Sequence, residues 1–168
     1  AASEYYDRRI PTMYDFLAKV CLNGHSLVVS HSPTEDTYCE KCGAKMISKC
    51  PNCSNPIKEW DYGGIAVLGT PSFSRPMYCK SCGKPYPWTS AAIDATTMMI
   101  QEDSELSELE RKNLEESLPD IIAETPKTKI ATVRIKKAFL TCGKFTAETI
   151  RQFVIDFGCE LAKSSLGL

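Results

Sequence analysis

Residues 38–53 read YCEKCGAKMISKCPNC, which contains two Cys-x-x-Cys pairs separated by seven residues. A third pair, Cys79 and Cys82, follows this stretch, and Cys21 precedes it, with His25 four positions further on. Pairs of cysteine or histidine at these spacings are typical of structural zinc sites, because thiolate sulfur and imidazole nitrogen are the donors that zinc prefers. Four pairs supply eight ligands, so the sequence predicts two tetrahedral zinc sites.

The four ligand pairs can be combined in three ways. We favour the sequential arrangement, because the seven residues between Cys42 and Cys50 suit a short link between two consecutive zinc ribbons. A cross-braced arrangement would indicate a RING-like adaptor, and a nested one is the third alternative. The sequential arrangement predicts site 1 from Cys21, His25, Cys39 and Cys42, and site 2 from Cys50, Cys53, Cys79 and Cys82.

A disulfide framework or a redox motif is a weaker interpretation of the same cysteines. Seven of the nine lie between Cys21 and Cys82, whereas a secreted scaffold normally spreads its bridges along the whole chain. A single Cys-x-x-Cys is ambiguous, but three of them together with a Cys-x-x-x-His indicate metal binding. The remaining two, Cys142 and Cys159, are expected to be buried, inert thiols.

Length and composition restrict the class of protein further. The 168 residues suffice for one ordinary domain or two small ones, and 43% apolar with 24% charged residues is typical of globular proteins. The formal net charge of −1 argues against a strongly basic binding surface. The sequence has no apolar run long enough for a membrane span or a signal-peptide core. Because the cysteines are expected to bind metal and not to form disulfides, we expect a reducing, cytoplasmic location.

The chain is expected to comprise three parts. Residues 1–18 form an N-terminal extension that is disordered or in part an expression remnant, residues 19–88 form the double zinc ribbon, and residues 89–168 form a helical domain. The predicted fold is therefore a small metal-bound α+β protein: tandem zinc ribbons of short β-hairpins, followed by a bundle of about four helices.

Capping residues and prolines predict the ends of the four helices. The apolar spacing of the last helix, with Ile150, Phe153 and Leu161, predicts one continuous helix with a broad buried face. The expected signals, in chain order, are Thr89 or Ser90 to about Asp103, a capping box at Ser107 and Glu110 with an end at Pro119, Thr125-Pro126 to Gly143, and a cap at Thr146.

Several segments resemble a family of uncharacterised bacterial proteins with a domain of unknown function. The resemblance covers about residues 19–168 and implies a double zinc ribbon joined to a helical domain, but no activity. The segments that carry it are Val20-Cys21-Leu-Asn-Gly-His25, Tyr38 to Gly43, Cys50 to Cys53, Tyr78 to Gly83, Pro85-Tyr86-Pro87-Trp88-Thr89, Leu118-Pro119-Asp120 and Thr125-Pro126-Lys127-Thr128.

The sequence offers little for catalysis. A catalytic zinc keeps an open coordination position, whereas eight ligands close both predicted sites. His31 is the one remaining histidine and is expected to lie in a solvated loop. No histidine occurs after residue 88, which excludes a Ser/His or Cys/His nucleophile within the helical domain. We expect a protein that acts by binding; a metal-dependent enzyme is the third and weakest hypothesis.

Two segments are candidate partner surfaces, one for a protein partner and one for nucleic acid. The aromatic loop at residues 54–78 could dock a protein or could simply cover the metal site. The basic third helix could bind nucleic acid, or its charges could face the acidic second helix. We favour a zinc-binding adaptor with a protein partner or a second copy of itself, and nucleic-acid binding is the alternative. The candidate residues are Trp60, Tyr62, Phe73, Lys129, Arg134, Lys136 and Lys137.

Overall fold

A computed structural model describes residues 16–30, 37–62 and 68–168. The chain divides into two compact units, Ala1–Trp88 and Thr89–Leu168, which we call the ribbon unit and the helical unit. The predicted N-terminal extension lies outside the described residues up to residue 15, and residues 16–18 belong to the first strand.

The ribbon unit contains a four-stranded antiparallel sheet centred on its first strand. The strands are β1 (Phe16–Cys21), β2 (Ser26–Ser30), β3 (Met46–Ile47) and β4 (Glu59–Trp60). Strand β1 pairs with β2 from Phe16↔Ser30 to Val20↔Ser26, with β3 at Cys21↔Met46, and with β4 at Phe16↔Trp60. Because β4 follows the second Cys-x-x-Cys pair, one strand joins the two ribbons into a single sheet.

The helical unit contains five helices, the first of which starts just before the unit boundary. The predicted α+β class is confirmed, with one helix more than expected. Within the part of the chain that the structure describes, none of the helices has the length and apolar character needed to cross a bilayer. The helices are α1 (Pro87–Glu102), α2 (Glu108–Ile122), α3 (Thr128–Thr141), α4 (Lys144–Phe157) and α5 (Glu160–Leu166).

The capping box at the start of α2 is confirmed, but the predicted end at Pro119 is wrong. Ser107 Oγ accepts from the Glu110 N–H, and the Glu110 carboxylate accepts from the Ser107 N–H. The helix runs through Pro119 because Ile121 and Ile122 are buried beyond it. Burying two isoleucines contributes about 3–6 kcal/mol, which matches or exceeds the roughly 3 kcal/mol that an internal proline costs.

The single last helix that the apolar spacing predicts is two helices, α4 and α5. Helix α4 ends at Gly158, whose N–H donates to the Val154 carbonyl at 2.8 Å. A side chain at position 158 would meet the Val154 backbone, so the sharp exit from the helix requires glycine. The next N–H, of Cys159, donates to the Ile121 carbonyl, and Leu161 lies half-buried in α5 rather than in α4.

The other helix starts differ from the prediction by a few residues. Helix α1 begins at Pro87, a residue whose fixed φ suits a first turn, and not after Thr89. Helix α3 begins at Thr128, because Pro126 lies in a turn in which the Lys127 N–H donates to Thr125 Oγ1.

Buried Asp103 determines where α4 begins. Its Oδ2 accepts from the Gly143 N–H at 2.9 Å, its Oδ1 accepts from the Glu105 N–H at 2.8 Å, and Thr146 also bonds to the carboxylate. Helix α4 therefore starts at Lys144 after a Gly143 N-cap, and Thr146 is a buried first-turn residue and not the cap. The negative charge of this carboxylate also interacts favourably with the positive end of the helix dipole.

Candidate metal centres

The first cluster contains Cys21, His25, Cys39 and Cys42, whose ligand atoms all lie within 4.8 Å of one another. The His25 Nδ1 lies 3.5 Å from Cys21 Sγ and 3.4 Å from Cys39 Sγ, and Cys21 Sγ lies 3.7 Å from Cys42 Sγ. Strand β1 and the turn after it position the first two residues, and the turn before β3 positions the others. This cluster could hold a metal ion.

The second cluster contains Cys50, Cys53, Cys79 and Cys82, also within 4.8 Å of one another. The Sγ atoms of Cys50 and Cys82 are 3.8 Å apart, and those of Cys53 and Cys79 are 3.6 Å apart. A disulfide requires about 2.05 Å, so these distances are those of separate thiols around a common point. The structure groups the ligand pairs in sequential order.

Three of the four turns share one backbone design. In each Cys-x-x-Cys turn, the N–H of the residue after the second cysteine donates to the first cysteine's carbonyl. That residue has a positive φ: 72° at Gly43, 74° at Gly83 and 62° at Ser54. Glycine adopts this conformation without strain, whereas a serine there costs about 1–2 kcal/mol. The strained serine lies directly beside the second cluster, where metal coordination would hold it in place.

Backbone amides of these turns stabilise negative charge on several thiols. Hydrogen bonds from the Ala44 N–H and the Asn23 side chain lower the pKa of Cys42 to about 6. Those from the Cys82 and Ser81 amides lower the pKa of Cys79 to about 6. Burial raises the pKa of the Cys21 and Cys50 thiols instead. Each cluster thus combines thiols that ionise readily with thiols that a bound cation would have to deprotonate.

Tyr86 lies beside the second cluster, although nothing in the sequence around it indicates a role at a metal site. It is 3% exposed, and its hydroxyl lies beside the Cys79 thiol. Burial first, then the neighbouring Cys79 side chain and the charges of Cys79, Cys50 and Cys53, raise the Tyr86 pKa above its ordinary value. The hydroxyl therefore stays protonated and can donate to the sulfur. In the sequence, the Pro-Tyr-Pro-Trp segment supports only the family resemblance, because tyrosine is far commoner as a packing residue than beside a metal ligand.

Arg75, in the long loop of the second ribbon, contacts the turn that holds the first cluster. The Arg75 guanidinium donates to the Gly24 carbonyl at 2.7 Å, and Gly24 lies between Cys21 and His25. Gly24 is buried with a φ of 96°, and a Cβ placed on it would collide with Arg75 and lie 3.1 Å from Trp88 Cβ. Glycine is required here because residues with a side chain rarely adopt this φ, and Trp88 leaves little room for a Cβ on the turn.

The aromatic residues predicted as a partner surface pack against other aromatic side chains of the ribbon unit. Trp60 and Phe73 meet edge-to-face at 6.1 Å, and Tyr62 contacts Phe16 in the same way at 6.2 Å. All three predicted residues are half-buried, so they contribute to the ribbon unit's own packing. Residues 63–67 of this loop lie outside the described residues, as does His31.

The basic residues of α3 do not pair with the acidic residues of α2. Lys129, Lys136 and Lys137 are exposed, and Arg134 is half-buried with its Nη1 3.4 Å from Ser117 Oγ. Helices α2 and α3 are both fully described, and no ion pair within 4.0 Å joins them. No close ion pair therefore neutralises these charges, but Arg134 and Lys137 line one surface depression together with Glu110 of α2, and the α3 lysines are exposed to solvent.

Taken together, the fold and clusters define a protein with two consecutive ribbons, each with a Cys/His or Cys cluster that could hold a metal ion, followed by a helical unit. Residues 14–166 match the model of a family described as an uncharacterised protein conserved in bacteria, DUF2321, and the chain belongs to that family. No match was found among curated proteins or among solved structures.

Proposed function

We propose that the protein binds two structural zinc ions and acts as a non-catalytic adaptor that binds another protein. The observation that carries the zinc assignment is the spacing of the ligand atoms. A tetrahedral zinc with bonds of about 2.3 Å to sulfur places its thiolates about 3.8 Å apart, and a sulfur and a nitrogen about 3.6 Å apart. Three S···S distances in the clusters are 3.6–3.8 Å, two S···N distances are 3.4–3.5 Å, and the ligand atoms of each cluster all lie within 4.8 Å of one another.

The donor set supports zinc over other cations. Calcium and magnesium prefer oxygen ligands, whereas three thiols with one imidazole, or four thiols, are typical of structural zinc. In the first cluster, His25 would bind through Nδ1, the nitrogen nearest the sulfurs. Four protein ligands complete a tetrahedron and leave no position for a substrate or an activated water, which supports a structural role for both ions.

Exposed apolar side chains on the helical unit support the adaptor role. Leu140 at the end of α3 is 87% exposed and Phe145 at the start of α4 is 74% exposed, and both side chains cost free energy when hydrated. Ile130 and Val133 are also exposed on α3, beside Lys137. An apolar surface with basic residues at its border suits a protein partner with a complementary acidic rim.

Nucleic-acid binding is the second candidate, and the charge of α3 favours it. The helix contains four basic residues and no acidic ones, and three of its lysines are exposed. However, the helical unit as a whole has ten basic and thirteen acidic residues, and none of the exposed side chains on α3 is aromatic. Phosphate-binding surfaces combine a positive field with stacking groups, so the protein partner remains our first choice.

Two measurements test this proposal. Elemental analysis of freshly purified protein is expected to give two zinc ions per chain, and one ion or none would contradict the zinc assignment. A photo-crosslinking residue at position 140 is expected to yield a discrete protein adduct in a bacterial host.

The matched control for the crosslink is the same residue at position 109, where Leu109 is 68% exposed on α2. The purified partner should then lose affinity for the Leu140→Ser variant but not for Leu109→Ser. Adducts to nucleic acid at position 140, or equal protein adducts at both positions, would contradict the adaptor hypothesis.

A further inference from the structure

A continuous series of buried side chains runs from the second cluster to the first. It begins at Tyr86, whose N–H donates to the carbonyl of Met77, two residues before Cys79, and whose hydroxyl lies beside the Cys79 thiol. The Tyr86 ring stacks on Trp88 with centroids 4.6 Å apart and an interplanar angle of 15°. Trp88 is 1% exposed and packs against Gly24, which lies between the ligands Cys21 and His25. We call Tyr86 and Trp88 the aromatic link.

The aromatic link is held in place by the loop that the second cluster closes. Trp88 Nε1 donates to the Pro76 carbonyl at 2.8 Å, and the Tyr86 N–H donates to the Met77 carbonyl at 3.1 Å. The neighbouring Arg75 donates to the Gly24 carbonyl. Arg75, Pro76 and Met77 all lie between Cys53 and Cys79, so coordination of these two cysteines by one ion would fix the ends of this loop.

From this geometry we propose that the two centres bind zinc cooperatively, with Tyr86 and Trp88 as positioning residues that couple them. This inference rests on the proposed zinc binding. Filling site 2 fixes Cys79, and with it Tyr86, Trp88 and Arg75. Trp88 and Arg75 form the wall against which the Gly24 turn of site 1 packs. Site 1 then binds its ion in a turn that is already ordered, so less conformational entropy is lost on binding. Coupling is reciprocal, so filling site 1 favours site 2 by the same factor.

The test is a chelator titration of the full-length zinc-loaded protein, in which the NMR signals of the His25 imidazole report site 1 and total released zinc reports both sites. Cys82→Ser disables site 2, and site 1 is then expected to bind zinc about 5–150-fold more weakly than in the wild type. In Trp88→Leu, site 1 should weaken by a similar factor while site 2 stays filled. Trp60→Leu is the matched control, because Trp60 is also packed in the ribbon unit but outside the aromatic link.

Tyr86→Phe gives a readout that does not depend on Cys82→Ser folding. The variant keeps the ring stack and removes only the hydroxyl beside Cys79, so site 2 should lose about 10-fold or more in zinc affinity. The control is Tyr38→Phe, since Tyr38 precedes the ligand Cys39 but is 67% exposed.

The outcomes separate the two proposals. Two filled sites that titrate independently, or equal effects of Trp60→Leu and Trp88→Leu on site 1, would overturn the coupling while leaving zinc binding intact. A wild-type protein that takes up no zinc would overturn the proposed function, and the coupling with it.

Discussion

The ribbon unit and the helical unit are stabilised by different means. In the ribbon unit, two strands have only two residues each, and buried Cys21, Cys39 and Met46 form one small core cluster at the first candidate metal centre. In the helical unit, five helices bury large aliphatic side chains, among them Leu114, Leu118 and Ile135. Small domains without an adequate core commonly depend on metals, so the ribbon unit should be the metal-dependent half.

Removal of the metal is the change with the largest expected effect on this contrast. Structural zinc contributes apparent binding free energies of about 10–16 kcal/mol at neutral pH, which exceeds the stability of most small domains. Excess chelator should therefore unfold the ribbon unit while the helices persist. Far-UV circular dichroism should keep its helical signal, and NMR should lose the dispersed strand resonances of β1 and β2.

The helical unit serves as the internal control in that experiment. Loss of strand and helix signals together would show that the helices also depend on the metal. Retention of the strand signals would show that the sheet holds without it. Either outcome would remove the contrast between the two units.

A smaller effect is expected from single cysteine substitutions, which separate ligands from bystanders. Cys79→Ser removes a ligand and its amide-stabilised thiolate, so zinc content should fall below two per chain and the ribbon unit should lose several kcal/mol. Cys142→Ser should leave zinc content unchanged, because Cys142 lies at the end of α3 in the helical unit. Its pKa is raised by burial and by the Asp103 charge, so the thiol is a poor nucleophile.

Elemental analysis and thermal unfolding measure both substitutions, and His31→Ala is a further control that should change neither quantity. A zinc loss in Cys142→Ser or His31→Ala, with full zinc content in Cys79→Ser, would reverse our distinction between ligands and bystanders.

The two units also differ in how much the sequence alone could predict. The cysteine spacing was sufficient to predict which residues meet, because Cys-x-x-Cys turns are local structures with a fixed hydrogen-bond pattern. The side chains packed around the clusters were not predictable in this way. Tyr86 and Arg75 reach Cys79 and Gly24 through tertiary packing, and neither residue type at that spacing indicates a metal site.

In the helical unit, helix existence was predictable but helix ends were not. The capping box at Ser107 is local, so its residues were sufficient. The passage of α2 through Pro119 depends on burial of Ile121 and Ile122, and the start of α4 depends on Asp103, forty residues earlier in the chain. Long-range contacts of this kind override local stop and start signals.

Asp103→Asn should produce the next largest effect, confined to the helical unit. Burial disfavours the carboxylate, yet hydrogen bonds from Thr146, Gly143 and Glu105 outweigh it, and the Asp103 pKa lies below its usual value of 3.8. Asparagine replaces one carboxylate oxygen with an NH2 group, which cannot accept a hydrogen bond. At least one of the groups that now donate to Asp103 would therefore lose its acceptor. Leaving one or two such buried groups unpaired costs about 1–3 kcal/mol each, which denaturant unfolding can measure.

The same group predicts a pH dependence. A carboxyl group with a folded-state pKa below its unfolded value stabilises the fold above the unfolded pKa, and that contribution is lost as pH falls through the folded pKa. Wild-type helical unfolding should therefore become easier below about pH 4, and Asp103→Asn should flatten that dependence. If the free energy of unfolding fell equally steeply with decreasing pH in both proteins, the pKa of Asp103 would not be lowered by folding.

The smallest effect on stability is expected from Lys136→Gln combined with Lys137→Gln, and here the function of the helical unit is tested. Both lysines are exposed without an ion pair to α2, so the double substitution should change the free energy of unfolding by no more than about 0.5 kcal/mol. A protein partner with an acidic rim should bind the double variant more weakly, and salt should weaken its binding to the wild type. Duplex DNA or RNA should show no measurable affinity at physiological salt in a gel-shift titration.

If instead the wild type binds duplex DNA with micromolar affinity, and the log–log salt slope becomes flatter by about 0.9 for each lost phosphate contact in the double variant, α3 is a nucleic-acid surface. That result would replace the adaptor hypothesis, while the metal dependence of the ribbon unit would stand unchanged.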